Sequence, residues 1–168
     1  MTINIQPKHL QNELIKLVPL HENDFEELYE VASDPLVWEQ HPNKLRYQKD
    51  VFQNFFEGAI QSKGAFFIRE ATTNEPIGSS RFYDYNPETN SILIGYTFIG
   101  RKFWGNGYNK ALKKLMMDYA FQYVDTIYFH IGANNIRSQK AMEKIDEFEV
   151  EYYGEDSKLN YIYRINKK

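Results

Sequence analysis

The residues best suited to chemistry lie together at 101–115, "RKFWGNGYNKALKKL". Gly105 and Gly107 stand one residue apart, just before a run that reads as a helix. Glycine lets the backbone approach a ligand closely and reach positive φ. The first N–H groups of a helix have no partner within it, and the helix dipole adds positive potential at that end. A phosphate fits such a place. Lys110, Lys113 and Lys114 crowd the same end, where a cation is disfavoured unless an anion offsets it. The plainer alternative is a tight turn with a solvated lysine face, Lys114 pairing with Asp118 four residues on. Two known phosphate motifs do not fit. A P-loop needs GxxxxGK[ST], but Tyr108 and Asn109 follow Gly107. The dinucleotide fingerprint needs a third glycine, and none follows Gly107 here.

Other reactive side chains are scattered. "WEQHP" at 38–42 puts Trp38, Glu39 and His41 in one loop, and a histidine there titrates near neutral pH. "NNIRSQKAMEKI" at 134–145 offers Asn134 or Asn135 as a helix cap, with the Ser138 hydroxyl in the first turn. His130 sits in a strand and is expected inside. Arg81 and Asp84 lie on another strand; Arg81 could hold a substrate carboxylate, though a surface role is the simpler expectation. There is no cysteine, which removes disulfides, a thiol nucleophile and thiolate zinc sites. His9, His21, His41 and His130 show no metal-ligand spacing, so no metal is expected.

Elements must position these groups. The 168 residues suffice for a single domain, 1–168, with a full core. Hydrophobic residues make up 42% and the net charge is −3, which gives no reason to expect nucleic acid or membrane as partner. No signal peptide or membrane span is seen, so a cytoplasmic location is expected. "ELIKLV" (13–18) reads as a strand. Phe25, Leu28, Tyr29 and Ala32 give one helical stripe before Pro35, and Val51, Phe52, Phe55, Phe56 and Ala59 a second. "AFFIRE", "IGSSRFYDY" and "SILIGYTFI" read as strands, the last two joined by "NPETN" as a hairpin. Ala111, Leu112, Leu115, Met116, Tyr119, Ala120 and Tyr123 mark the helix after the glycines. "DTIYFHIG", a helix from the Asn pair, and the strands "EFEVEYYG" and "LNYIYRIN" complete the chain. The fold class is α+β: a single mixed sheet covered by helices on both faces.

"KFWGNGYNKAL" resembles the (Q/R)-x-x-G-x-(G/A) motif of the GNAT superfamily of N-acetyltransferases, with Lys102 for the usual Gln or Arg. "NNIRSQKAMEKI" looks like the N-x-x-S-x-x-x-x-x-K segment of its ribosomal-protein-alanine acetyltransferase-like branch, with Asp146 just beyond it in place of a common glycine. The element order fits from about residue 12 to residue 165. The resemblance implies the acyl-CoA N-acyltransferase fold, a mostly antiparallel sheet with a splayed central strand pair. It implies acetyl-CoA as acetyl donor and transfer to a primary amine, on a small molecule or a protein N-terminus. Tyr96, Thr97 and Phe98 would line the pantetheine arm. Lys102 and the turn Gly105, Asn106, Gly107, Tyr108, Asn109 and Lys110 would hold the pyrophosphate. Asn135 would contact the arm, Ser138 would lie near the sulfur as proton donor, and Tyr128 or Tyr83 could replace it. His41 and Glu39 would border the acceptor pocket, His41 as a candidate base. Two other classes compete: a non-catalytic acyl-CoA-binding module and a nucleotide-binding protein. C-terminal edge strands leave room for a homodimer.

Overall fold

The computed structural model describes residues 2–143, 145, 150–155 and 160–167, without the side chains of 150–155. Asp146 and Lys144 lie outside the described residues. The chain runs β1 (Leu10–Gln11), β2 (Ile15–Pro19), α1 (Phe25–Ala32), α2 (Lys49–Ser62), β3 (Ala65–Glu70), β4 (Pro76–Asn86), β5 (Ser91–Ile99), α3 (Tyr108–Ala120), β6 (Thr126–Gly132), α4 (Ile136–Glu143), β7 (Val150–Glu155) and β8 (Asn160–Asn166). They form one eight-stranded sheet in the order β1-β2-β3-β4-β5-β6-β8-β7. Every pairing is antiparallel except β5 with β6. The two-residue β1 was not expected from the sequence, because so short a strand carries no period to read.

Alternation along the strands sends side chains to two cores. In β3, Phe66 and Ile68 join one cluster with Leu112, Met116, Met117 and Ala120 of α3 and Met142 of α4. Ala65 and Phe67 join the other with Leu28 and Ala32 of α1 and four residues of the α2 stripe, Phe52, Phe55, Phe56 and Ala59. Helices therefore cover both faces. Each fully buried large side chain contributes about 1.5–3 kcal/mol, so the aromatic stripe of α2 fixes that helix firmly on the sheet. Among the described residues no helix is long and apolar enough to cross a membrane.

Two irregularities open the sheet. β5 and β6 pair only where Ser91, Ile92 and Leu93 meet Thr126, Ile127 and Tyr128. Beyond that point β5 stays with β4 and β6 stays with β8, so the two strands part. The β4–β5 hairpin also shifts register twice, once between Ser79 and Arg81 and once between Tyr83 and Asn86. Tyr96 (φ 52°) and Asp84 (φ 51°) take left-handed backbone at these shifts. Such bulges re-aim side chains and are frequent beside active sites.

Candidate active site

The gap between β5 and β6 is a cavity of about 610 Å³. Its walls are residues 93–97 of β5, 129–132 of β6, the loop with His41, Pro42, Asn43 and Arg46, Tyr83 and Asp84 of β4, Lys113 of α3, and Asn135 and Ser138 at the start of α4. Past Leu93, β5 has no ladder partner on its β6 side among the described residues. Backbone N–H and C=O groups there need partners, and an amide-containing ligand arm can supply them.

Residues 101–112, the glycine turn included, do not line this cavity; the turn is linked to its wall through Lys113, which hydrogen-bonds Asn109. Gly105 (φ 77°) and Gly107 (φ 83°) are both left-handed, and a Cβ on either would meet nothing within 4 Å. Conformation, not space, requires glycine there. Gly107 is the N-cap of α3 and supplies no side-chain cap. The first in-helix hydrogen bond runs from Ala111 N–H to Gly107 O (2.9 Å), so the helix itself supplies no acceptor for the amides before it, which is the arrangement that suits an anion. Trp104 Nε1 donates to Ile99 O (2.8 Å), and Tyr108 packs edge-on against Phe103 (5.0 Å), which ties the turn to the end of β5.

The lysines of this end part company. Lys102, expected at the anion, pairs with Glu75 (2.6 Å) on the exposed surface. Lys114 pairs with Asp118 (3.2 Å), as the spacing suggests. Lys113 is only 5% exposed and lines the cavity. Its Nζ donates to Asn109 Oδ1 (3.1 Å) and lies 5.4 Å from the Phe129 ring centre. Burial pushes its pKa down to about 8. The stripe read from the sequence leaves Lys113 out; the buried positions of α3 are 112, 113, 116, 117 and 120, an arc that Met117 four residues on could have marked.

The other end is made of side chains. Trp38 is a core anchor, its Nε1 donating to Ala32 O (2.8 Å) and its ring 4.8 Å from Phe98. It holds the loop that presents His41, whose N–H donates to Trp38 O (3.0 Å). A Cβ at Gly132 would come within 2.9 Å of Pro42, so this loop rests directly on the end of β6. Gln40 Oε1 accepts from the Arg137 N–H (3.0 Å), joining the loop to α4. His41 faces the cavity, and its pKa is pushed down to about 4, first by burial and then by the charges of Arg46 and Arg137. Glu39 is exposed and lies outside the cavity wall.

Asn135 is 4% exposed and is the cap of α4, its Oδ1 accepting from the Ser138 N–H (3.3 Å). Both residues border the cavity. So do Tyr96, Thr97 and Tyr83, whereas Tyr128 does not. The Phe98 side chain is buried in the α2-side cluster, so only its backbone can serve a ligand. His130, expected inside, is exposed at the cavity, between buried Phe129 and Ile131. Strand alternation explains this: the two neighbours take the core-facing positions.

The family model for the acetyltransferase (GNAT) domain matches residues 15–146. Solved structures share the fold. An acetyltransferase of the GNAT family from Bacillus anthracis is 22% identical, with a TM-score of 0.76, covering 94% of this chain and 98% of its own. An acetyltransferase from Agrobacterium tumefaciens str. C58 is 19% identical, with a TM-score of 0.76 and 99% of both chains covered. Spermidine N-acetyltransferase from Vibrio cholerae, solved in complex with CoA and spermine, is 16% identical, with a TM-score of 0.68, covering 92% of this chain and 95% of its own.

Proposed function

From the family to which this chain belongs, the GNAT acetyltransferases, we propose that it moves acetyl from acetyl-CoA to a primary amine by direct attack in a ternary complex. One observation carries this. The gap between β5 and β6 meets the uncapped start of α3, where Lys113 in the cavity wall hydrogen-bonds Asn109 of the first turn. A ligand with an amide-bearing arm and a phosphate group fits both parts at once.

The roles follow from chemistry. The β5 backbone at 94–98 holds the arm by strand-like hydrogen bonds, beside Tyr96 and Thr97. The amides of residues 105–110 take the pyrophosphate, with Asn106 and Lys110 at its edge and Lys102 as a distant charge. A backbone N–H freed at the Tyr96 bulge, or that of Phe98, stabilises the oxyanion; one such donor is worth about 2.7–4 kcal/mol of barrier. Ser138 gives a proton to the departing thiolate, with Tyr83 as the alternative donor at the same cavity. Asn135 fixes the α4 start that carries Ser138.

His41 is a poor base for an ammonium group. An alkyl ammonium ordinarily titrates about 6 units above the value of about 4 held by His41. Cations in the wall do part of the base's work, because they disfavour a charged amine beside them. Lys113 is such a cation in the wall, and Asp84 can take the proton through water. His41 then acts as a neutral hydrogen-bond acceptor. Glu39 acts at most through the nearby Arg137 charge.

Acceptors to test include peptide α-amines, suggested by the ribosomal-protein-alanine-like segment, and polyamines, suggested by the V. cholerae relative. The first test is thermal melting with acetyl-CoA, CoA and ATP at equal concentration, followed by amine-dependent thiol release. Stabilisation by both CoA forms and not ATP, with turnover, supports the proposal. A ligand at 100 times its Kd adds about 2.7 kcal/mol. CoA stabilisation without turnover on any amine would leave a binding module, and no CoA effect would remove the site.

A further inference from the structure

Two arginines stand at the acceptor end without acidic partners among the described residues. Arg46, from the loop before α2, lies with its guanidinium 4.7 Å from the Phe55 ring centre and 5.6 Å from that of Trp38. Arg81, on β4 and 7% exposed, lies 5.4 Å from the same Phe55 centre and 3.8 Å from that of Tyr96. The two cations thus flank one ring. The hydrogen bond of the pair is from Arg81 Nη1 to Gly58 O (3.3 Å). Among the described residues neither comes within ion-pair distance of a carboxylate, unlike Arg69 with Glu27 (2.6 Å) or Arg101 with Asp34. A guanidinium has five N–H donors. None of the described residues has a sealed, unpartnered side-chain nitrogen, so the free donors of this pair remain accessible.

Burying two like charges side by side is costly unless something compensates. Here burial lowers the pKa of both, and the charge of Arg46 further lowers that of Arg81. A protein needing only apolar packing around Phe55 would be better served by Met or Leu. Arg46 lines the cavity, together with Tyr96, which Arg81 supports from behind. The same wall holds a single carboxylate among the described residues, Asp84. That distribution suits a ligand with one amine and one anionic group. It suits a polyamine badly.

We infer that the acceptor is an amine that also bears a carboxylate, bound by Arg46, with Arg81 as a positioning residue behind Tyr96. This rests on the acetyltransferase activity proposed above. Asp84 and Tyr83 lie on the opposite strand of the bulged hairpin from Tyr96, which places the amine and the carboxylate of one small molecule at separate groups. A planar bidentate pair with guanidinium also fixes the orientation of the acceptor.

The test has three arms. Thermal melting with acetyl-CoA is the first: no shift removes the acetyltransferase activity, and this inference with it. In the second, thiol release is measured for L-amino acids, their α-carboxamides and the matching decarboxylated amines, with spermidine alongside. The expected result is a kcat/KM for at least one acid about ten-fold or more above both of its partners, carried by KM. In the third, Arg46→Gln abolishes that preference while the KM values for acetyl-CoA and the carboxamide stay unchanged. Arg81→Gln raises the KM of the acid and Arg81→Lys restores most of it; should Arg81→Gln fail to fold, Arg46→Gln alone decides. With acetyl-CoA binding intact, turnover of the carboxamide, the plain amine or spermidine as good as that of the acid overturns the inference. So does an absence of turnover for every acid, or an Arg46→Gln loss equal for acid and carboxamide.

Discussion

At the start of α3, the groups we propose for the donor are amides of residues 105–110, set by two left-handed glycines and a helix start. At the other end they are side chains: His41 and Arg46 from a loop, Tyr83 and Asp84 from β4, Tyr96 from β5, Ser138 from α4. The first end is contiguous in sequence and its donors are the same whatever the side chains. The second is assembled from stretches up to a hundred residues apart, and every donor can change by one substitution. A site made of backbone can therefore be kept while a site made of side chains is retuned. We propose that binding of the common donor belongs to the first, and choice of acceptor to the second.

The most damaging change should fall on the backbone end. Gly107→Glu forces a side chain into positive φ and sets a negative charge at the helix start. We expect acetyl-CoA affinity to fall by about a thousand-fold, near 4 kcal/mol, measured by calorimetry, with the unliganded melting temperature down by only a few degrees. Normal binding in this variant would erase the distinction between the ends.

Lys113 lies where the two ends meet, and Lys113→Met should raise stability at pH 7. In the folded chain Lys113 titrates at about 8, against 10.5 ordinarily. Between those values the unfolded chain binds more protons, so stability rises with pH across that window; below about 8 the full cost of the buried charge stands. The variant should be more stable at pH 7 by roughly 2–3 kcal/mol, with the gap closing as pH approaches 10.5 in denaturant titrations.

Ser138→Ala should lower kcat about ten-fold while leaving the Kd for CoA within about two-fold. An unchanged kcat would take Ser138 out of the chemistry and leave it as helix-start structure. The smallest effect belongs to His41→Gln, with kcat within about three-fold and no loss of an inflection near pH 6.5. Its signature is in stability. His41 titrates at about 4 in the fold and 6.5 ordinarily, so the parent loses stability as pH falls from 6.5 to 4, and the variant does not share that loss.

The same contrast governs what could be read beforehand. "AFFIRE" matches β3 residue for residue, and the apolar stripes of α2 and α3 carried their own periodicity. The glycine turn was legible because two left-handed residues before a helix leave a local mark, two glycines one residue apart. The place of Lys113 was missed, because the stripe read from the sequence leaves out 113 and 117, which the fold buries. The Arg46–Phe55–Arg81 arrangement was not, since loop, helix and strand come together only through the sheet. Nor was the end of β5–β6 pairing after three residues, because no residue type announces a missing ladder. The burial of His41 likewise depends on Pro42 resting at Gly132, a contact across ninety residues of chain.

That short parallel joint also bears on how the chain finds its shape. Strands β2, β3 and β4 each pair antiparallel with the next strand along the chain, up to β5, while β6 and β8 zip separately along seven register pairs. Only three register pairs stitch the two ribbons together, across the whole length of α3. Closing that seam spans the α3 connection yet returns three register pairs, against five for β2–β3 and seven for β6–β8, so it should come late in folding. Native-state hydrogen exchange should then reveal two cooperative units, with amides of residues 91–93 and 126–128 opening before the interior of either ribbon. A ligand bridging β5 and β6 would weld the units into one, and a single exchange transition in its presence is the expected sign.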